Sequence, residues 1–190
     1  MASAQAPASI VNGVDTERLK ATIEAIDTDV TCADFQFRAS NEWLDGAHNR
    51  SALASFRSAG AEDSTRKRTF TFDSDEPLPL LGHDEGPNPT EALLHALAAC
   101  LTTSLVYHAA AKGIDVRRVE SSLEGDLDLR GFLGMDEDIR NGYEGIRVDM
   151  KIDCDGGEEQ VRQLIETAQR RSPVFDIVTN KVPVTVSGTM

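Results

Sequence analysis

Cys100 lies in the middle of the run LLHALAACLTTSLVYHAAAKGI, among alanine, leucine and small polar residues. A thiol is a nucleophile or a redox group only as the thiolate, so its environment decides whether it reacts. Burial raises a thiol's pKa, and Cys100 stands about three turns inside its predicted helix, beyond the reach of the helix dipole. It needs a cation brought to it in space; without one it is a small packing residue. Both readings are open on residue type alone. Arg50, in AHNR, is either a surface charge or a guanidinium aimed into a cleft. Glu91 is either a catalytic carboxylate or the closing residue of a helix cap, and it lies about 180° around a regular helix from Cys100. His95 and His108 fall on different faces of the same helix, which argues against a shared metal site. No metal and no cofactor is expected.

Composition narrows the partners. The chain has 190 residues, enough for one domain with an N-terminal extension, and 40% of them are hydrophobic. Thirty-two acidic residues against nineteen basic ones give a formal net charge of −13, so nucleic acid and anionic membrane are not expected as partners. Three scattered cysteines, Cys32, Cys100 and Cys154, make neither a disulfide framework nor a CxxC zinc motif. The start MASAQAPASIVNG lacks the basic and apolar regions of a secretory signal, which leaves a cytoplasmic location as the expectation. Residues 92–111 are long enough to span a bilayer, but histidines, threonines and many alanines point to a buried central helix instead.

The elements that must position these side chains are readable in order. Residues 1–12 are small and polar and are expected to be loose. DTERLKATIEAID (15–27) spaces Leu19, Ile23 and Ile26 as a short amphipathic helix, with Asp15 or Thr16 as its cap. VTCADFQFRAS (30–40) alternates as a strand, with Cys32 as packing on it; the Asp-Gly in NEWLDGAHNR marks a hairpin turn, and RKRTFTFD forms a further strand. DEPLPLLGHDEGPNP (75–89) holds four prolines and two glycines and is an irregular connection. Asn88-Pro89-Thr90-Glu91 then opens a long helix through a capping box, and Gly113 ends it. GIRVDMKIDC (145–154) alternates as a strand, and so does the segment from Ile114 to Leu129. GEEQVRQLIETAQR is an amphipathic helix, Ser172 caps a short helix over SPVFDIVTN, and VPVTVSG closes as a strand. Strands, one long helix, strands, helices and a strand make an α+β fold.

This order, with GPNPTEALLHALAACLTTSLVYHAAAKGI, the strand GIRVDMKIDC, the helix EQVRQLIETAQR and then RSPVFDIVTN, resembles the OsmC/Ohr family over about residues 30–190. FRASNEWLDGAHNR is similar to that family's first hairpin, and residues 1–29 lie outside the resemblance as an extension with a short helix. The resemblance implies a long central helix packed on antiparallel sheets in an intertwined homodimer of the bacterial cytoplasm. It implies defence against oxidative stress by thiol-dependent reduction of organic hydroperoxides, with Cys100 as peroxidatic cysteine assisted by Arg50 and Glu91. Two departures matter. The family's glutamate position falls on Thr90, one step before Glu91, and Ser172 occupies the place of the second, resolving cysteine. His48 lies close to Arg50 in the same hairpin, and Cys154 is not at the resolving position. A single working thiol then needs an external thiol reductant to return its sulfenic acid to thiol. The alternative is a non-catalytic dimer that binds a small apolar ligand in the interface cleft.

Overall fold

The computed structural model describes residues 9–189. These fall into two compact units: residue 9 with Asp15–Leu93, and Ile10–Val14 with residues 94–189. The fold is α+β with antiparallel sheets and one long helix, as the sequence predicts.

Of the segment expected to be loose, residues 1–8 lie outside the described residues, and the rest is ordered. β1 (Ile10–Val11) and β2 (Val14–Asp15) form a hairpin around Asn12 and Gly13, both at positive φ, 54° and 76°. The Asn12 side chain donates to the Ile114 carbonyl at 2.9 Å and accepts from the Val116 N–H at 2.8 Å, which ties this hairpin to the end of the long helix.

In the first unit, α1 (Thr16–Thr28) starts where Asp15 accepts the Arg18 N–H at 3.0 Å. A 3₁₀ turn over Val30–Ala33 follows in place of the first part of the expected strand, which forms only from Phe35. The physical reason is Asp29, whose carboxylate takes both the Thr31 N–H and its hydroxyl and bends the chain; Cys32 is therefore half-buried in a turn rather than on a strand. The strands β3 (Phe35–Phe37), β6 (Phe56–Ser58) and β7 (Ala61–Glu62) form one sheet, in the order β3-β6-β7. A second sheet has the order β4-β5-β8, from β4 (Ser40–Asp45), β5 (His48–Leu53) and β8 (Phe70–Ser74). Gly46, at φ 53°, makes the predicted turn between β4 and β5. The register on central strand β5 places Arg50 opposite Glu42 on one side and Asp73 on the other.

The connection after β8 is organised by one carboxylate. Asp75 is fully buried, and its oxygens accept the N–H groups of Glu76 at 2.8 Å, His83 at 2.9 Å and Glu85 at 3.2 Å. Burial pushes this carboxyl's pKa up, but the three N–H donors outweigh it and leave it below its ordinary value. The loop closes so tightly that a Cβ on Gly82 would meet the Glu76 carbonyl at 1.8 Å, so glycine is required there.

The second unit holds the apolar core. α2 (Pro89–Ala111) contributes Leu97, Leu101, Leu105 and Ala109, every fourth residue, to one buried stripe. The helix ends as predicted: the Ile114 N–H reaches the Ala109 carbonyl at 3.0 Å, and Gly113 takes the left-handed φ of 70°. Against the stripe lie β9 (Val116–Asp126) and β10 (Gly145–Cys154), an antiparallel pair that turns Val119, Leu123, Ile146, Met150 and Ile152 inward and leaves Val148 exposed. A short helix, α3 (Leu129–Phe132), lies in the connection between them. α4 (Glu158–Arg171) packs Val161, Leu164, Ile165 and Ala168, at helical spacing, on the same core. Its first turn is acidic and its last turn basic, which suits the helix dipole. α5 (Pro173–Thr179) follows without a loop.

The expected closing strand over VPVTVSG is absent: residues 181–189 form neither helix nor strand within the chain, and Val182, Val184 and Val186 are exposed. The alternating valines are right for a strand, but a strand forms only where a neighbouring edge supplies hydrogen-bond partners. α2 is long and apolar enough to cross a membrane by length and composition, yet its buried stripe is the core of this unit.

Candidate functional site

The start of α2 is a closed hydrogen-bonding ring. Asn88 Oδ1 accepts the Thr90 N–H at 2.8 Å and the Thr90 hydroxyl at 2.6 Å, while Glu91 accepts the Asn88 N–H at 2.9 Å. The Asn88 amide also donates to Glu76. This is the predicted capping box, and it employs both candidates for the assisting position, Thr90 and Glu91, in holding the helix start.

Cys100 is half-buried and is a free thiol. It lies beside the buried stripe rather than on it. At spacings of seven, four and seven residues, Leu93, Ser104 and Tyr107 share its flank of the helix. Leu93 is 37% exposed and Tyr107 51% exposed, so this flank presents an apolar wall with a thiol in it. His95 is exposed on another face; burial, and then the nearby Arg171, Lys112 and Arg170, hold the His108 imidazole below its ordinary pKa, so it is neutral at pH 7.

Arg50 belongs to the first unit, where a carboxylate holds it. Arg50 Nε donates to Asp73 Oδ1 at 2.9 Å, and a terminal nitrogen lies at the same distance from that oxygen. His48 Nε2 meets the same oxygen at 2.9 Å. Hydrogen bonds from Arg50 first and His48 second hold the Asp73 carboxyl below the usual carboxylate range, and Asp73 in turn raises the Arg50 pKa. Sequence reading missed Asp73. It stands 23 residues from Arg50, and only the β5–β8 register makes them neighbours. The alternation in TFTFD identified its strand, but not which strand would lie beside it.

Ser172 is buried at the junction of α4 and α5. Its N–H ends α4 on the Ala168 carbonyl at 2.9 Å, and its hydroxyl accepts the Phe175 N–H at 3.1 Å. The residue at the resolving position thus serves as a helix cap. Cys154 is buried in the core of the second unit, where its sulfur lies 3.8 Å from the Gly156 carbonyl. Among the described residues no group of three or more His, Cys, Asp and Glu side chains could hold a metal ion. The structure gathers Arg50, His48 and Asp73 in one cluster and Asn88, Thr90, Glu91 and Glu76 in another; Cys100 stands on the part of α2 that belongs to the second unit.

Residues 82–187 match the family model described as OsmC-like protein. No curated protein matches the chain. Solved structures share the fold. An OsmC-like protein from Mycoplasma pneumoniae superposes with a TM-score of 0.59 at 17% identity, covering 77% of this chain and 89% of that one. An organic hydroperoxide resistance protein, OsmC, from Legionella pneumophila gives 0.53 at 15% identity over 75% and 88%. An OsmC-like protein of unknown function from Vibrio cholerae gives 0.52 at 12% identity over 74% and 92%.

Proposed function

The chain belongs to the OsmC-like protein family, and from that premise we propose that it is a homodimeric, thiol-dependent hydroperoxide reductase of the cytoplasm, serving defence against oxidative stress. Residues 30–190 are its OsmC-like domain, and residues 1–29 are an extension. The observation that carries the reading is Cys100 itself, a half-buried free thiol on an apolar flank of the long helix, accessible to a small alkyl hydroperoxide. The Cys100 thiolate attacks the terminal peroxide oxygen and the O–O bond breaks. The alcohol leaves with a proton, and the sulfur, oxidised by two electrons, becomes a sulfenic acid. Arg50 supplies the cation that favours the thiolate. Glu91 assists by holding the helix start.

With Ser172 committed to a cap, regeneration falls to an external low-molecular-weight thiol. One equivalent condenses with the sulfenic acid, releasing water and leaving a mixed disulfide. A second equivalent displaces Cys100 as thiol and departs as the oxidised disulfide, so the two electrons come from two external thiols.

The dimer is supported by what the single chain leaves uncovered. α2 is apolar over most of its length yet buries one stripe and leaves Leu93 and Tyr107 exposed, and the valines of 182–186 alternate beside no partner strand. A second copy supplies both a cover and an edge. The test is stoichiometric oxidation of reduced protein with cumene hydroperoxide, read by peptide mass spectrometry. Conversion of Cys100 to a dimedone-trapped sulfenic acid is expected; an unmodified Cys100 at tenfold excess overturns the reading.

The buried Ser172 cap also favours a second reading, a non-catalytic dimer in which Cys100 only lines a site for a small apolar ligand. Native mass spectrometry would then find a co-purified ligand, and Cys100→Ser would retain it.

A further inference from the structure

We propose that the basic run Arg66-Lys67-Arg68 forms a binding site for a small phosphate, free or as a soluble ester, separate from Cys100 and independent of any role for it. The sequence predicts a strand over RKRTFTFD, but the strand forms only from Phe70. The basic half stays outside the sheet, between β7 and β8, and lines a cleft of about 280 Å³ with Ser55, Asp63 and Thr69. Elsewhere in this unit Arg38, Arg50 and Arg57 each pair with a carboxylate. Arg66, Lys67 and Arg68 pair with none among the described residues, in a chain of 32 acidic side chains, and Arg66 is half-buried. A partly desolvated cation without a counter-ion is costly, and a bound anion removes that cost.

The cations are held by what lies beside them. The Arg66 guanidinium carbon sits 4.8 Å from the centre of the Phe56 ring and 5.5 Å from that of Phe70, and Arg68 lies 4.5 Å from the Phe70 centre. Contact with the rings restricts these side chains without using up their N–H donors, so little further order is lost when an anion arrives. The Arg66 side chain makes one long hydrogen bond, from Nη1 to the Ala54 carbonyl at 3.4 Å. Lys67 Nζ gives one of its donors to the Ser64 carbonyl and keeps two. Asp63, the one carboxylate on the cleft, is already engaged: its Oδ1 accepts the Thr65 N–H at 2.8 Å, the Thr65 hydroxyl at 2.6 Å and the Arg66 N–H at 3.3 Å. It shapes the turn that presents the three cations.

Charge and size select the ligand. Three cations against one carboxylate leave a local charge of about +2, the complement of a phosphate dianion, and the Ser55 and Thr69 hydroxyls add neutral donors for a tetrahedral oxyanion. The whole chain, at −13, repels polyanions and anionic surfaces. That field is screened beyond about 8 Å at physiological salt, so a single small phosphate responds to the local cations. The volume is at the small end for ligand clefts, which suits a phosphate with a short substituent or none.

The test is isothermal titration of the full-length protein with inorganic phosphate and with glycerol phosphate, at low ionic strength and without other polyvalent anions. One saturable site per chain is expected, and the tighter of the two ligands tells whether the phosphate comes free or as an ester. Arg66→Ala should weaken binding at least about tenfold, and Arg66→Lys, which keeps the charge without the fork, should recover part of the loss. Lys67→Gln and Arg68→Gln, at exposed positions, should each weaken it about threefold. Arg118→Ala, at an exposed ion pair in the other unit, should change it by less than about twofold. Heats that never saturate, or an Arg118→Ala as weak as Arg66→Ala, reduce the cleft to a solvated charge run and overturn the proposal. So does an oligonucleotide, or vesicles of phosphatidic acid, binding where both small phosphates do not. If circular dichroism shows Arg66→Ala unfolded, the glutamine variants decide: wild-type affinity in both overturns the proposal.

Discussion

The two compact units of this chain are held together by different physics. In the second, all the described buried apolar residues but Ala110 belong to one cluster: Leu97, Leu101, Leu105 and Ala109 of α2 against Ile114, Cys154, Leu164 and Ala168. In the first, no described apolar side chain is fully buried; the buried groups include Thr16, Ser74 and Asp75, all polar. Its order comes from hydrogen bonds, with Asp75 holding a loop and Asp73 holding Arg50 and His48. Apolar burial is non-directional and scales with the area removed from water, whereas a hydrogen-bonded carboxylate network sets distances and angles. The unit that carries the guanidinium is thus built for placement, and the unit that carries the thiol is built for stability.

The strongest way to break this comparison is to truncate matched side chains. Leu105→Ala should cost about 2–5 kcal/mol in urea unfolding, because Leu105 has no exposed surface and leaves a cavity. Phe70→Ala, at a side chain 43% exposed in the first unit, should cost less than about 1.5 kcal/mol at low protein concentration. If the Phe70 cost equals the Leu105 cost and does not vary with protein concentration, the first unit has a core of its own and the contrast fails.

A smaller effect is expected at the α4–α5 junction. Ser172→Ala removes a buried cap and should lower stability by about 1 kcal/mol without changing the alkylation rate of Cys100. A change in that rate would give the hydroxyl a part in the chemistry.

Acid should reach the first unit sooner. Asp73 and Asp75 titrate below their unfolded value, so their contribution is present above about pH 4 and is lost as pH falls through their folded pKa values. Amide protection at His83 and Glu85 should be lost as pH falls below about 4 while the α2 amides near Leu101 stay protected. Simultaneous loss in both units would show that the network is not a separate source of order.

The smallest effect belongs to the exposed Arg147, paired with Glu124 and Asp126 across β9 and β10. Arg147→Ala should change stability by less than about 1 kcal/mol, and that little should fade in high salt.

Much of the fold was legible because its signals are local. The Asn88 cap, the Gly113 stop, the Asp45-Gly46 turn and the Ser172 cap each rest on a few neighbouring residues, and each is observed. The misses lie where a local pattern met a non-local requirement. Cys32 sits in a turn because Asp29 captured Thr31 before a strand could begin, and VPVTVSG found no edge to pair with. The candidate site divided in the same way. Cys100, Arg50 and Glu91 could be named from residue type and resemblance, but Asp73 became visible only with a register linking strands 23 residues apart.

The sequence by itself determined the limits of the long helix, the first hairpin turn, the α4–α5 cap and the family, because caps, turns and hydrophobic periods act over a few residues. Tertiary structure alone decided which groups meet: Arg50 with Asp73 and His48, Asn12 with the end of α2, and a buried stripe that leaves Cys100 on an open flank. Strand register and helix facing depend on distant parts of the chain packing together, and no short stretch of residues contains that information.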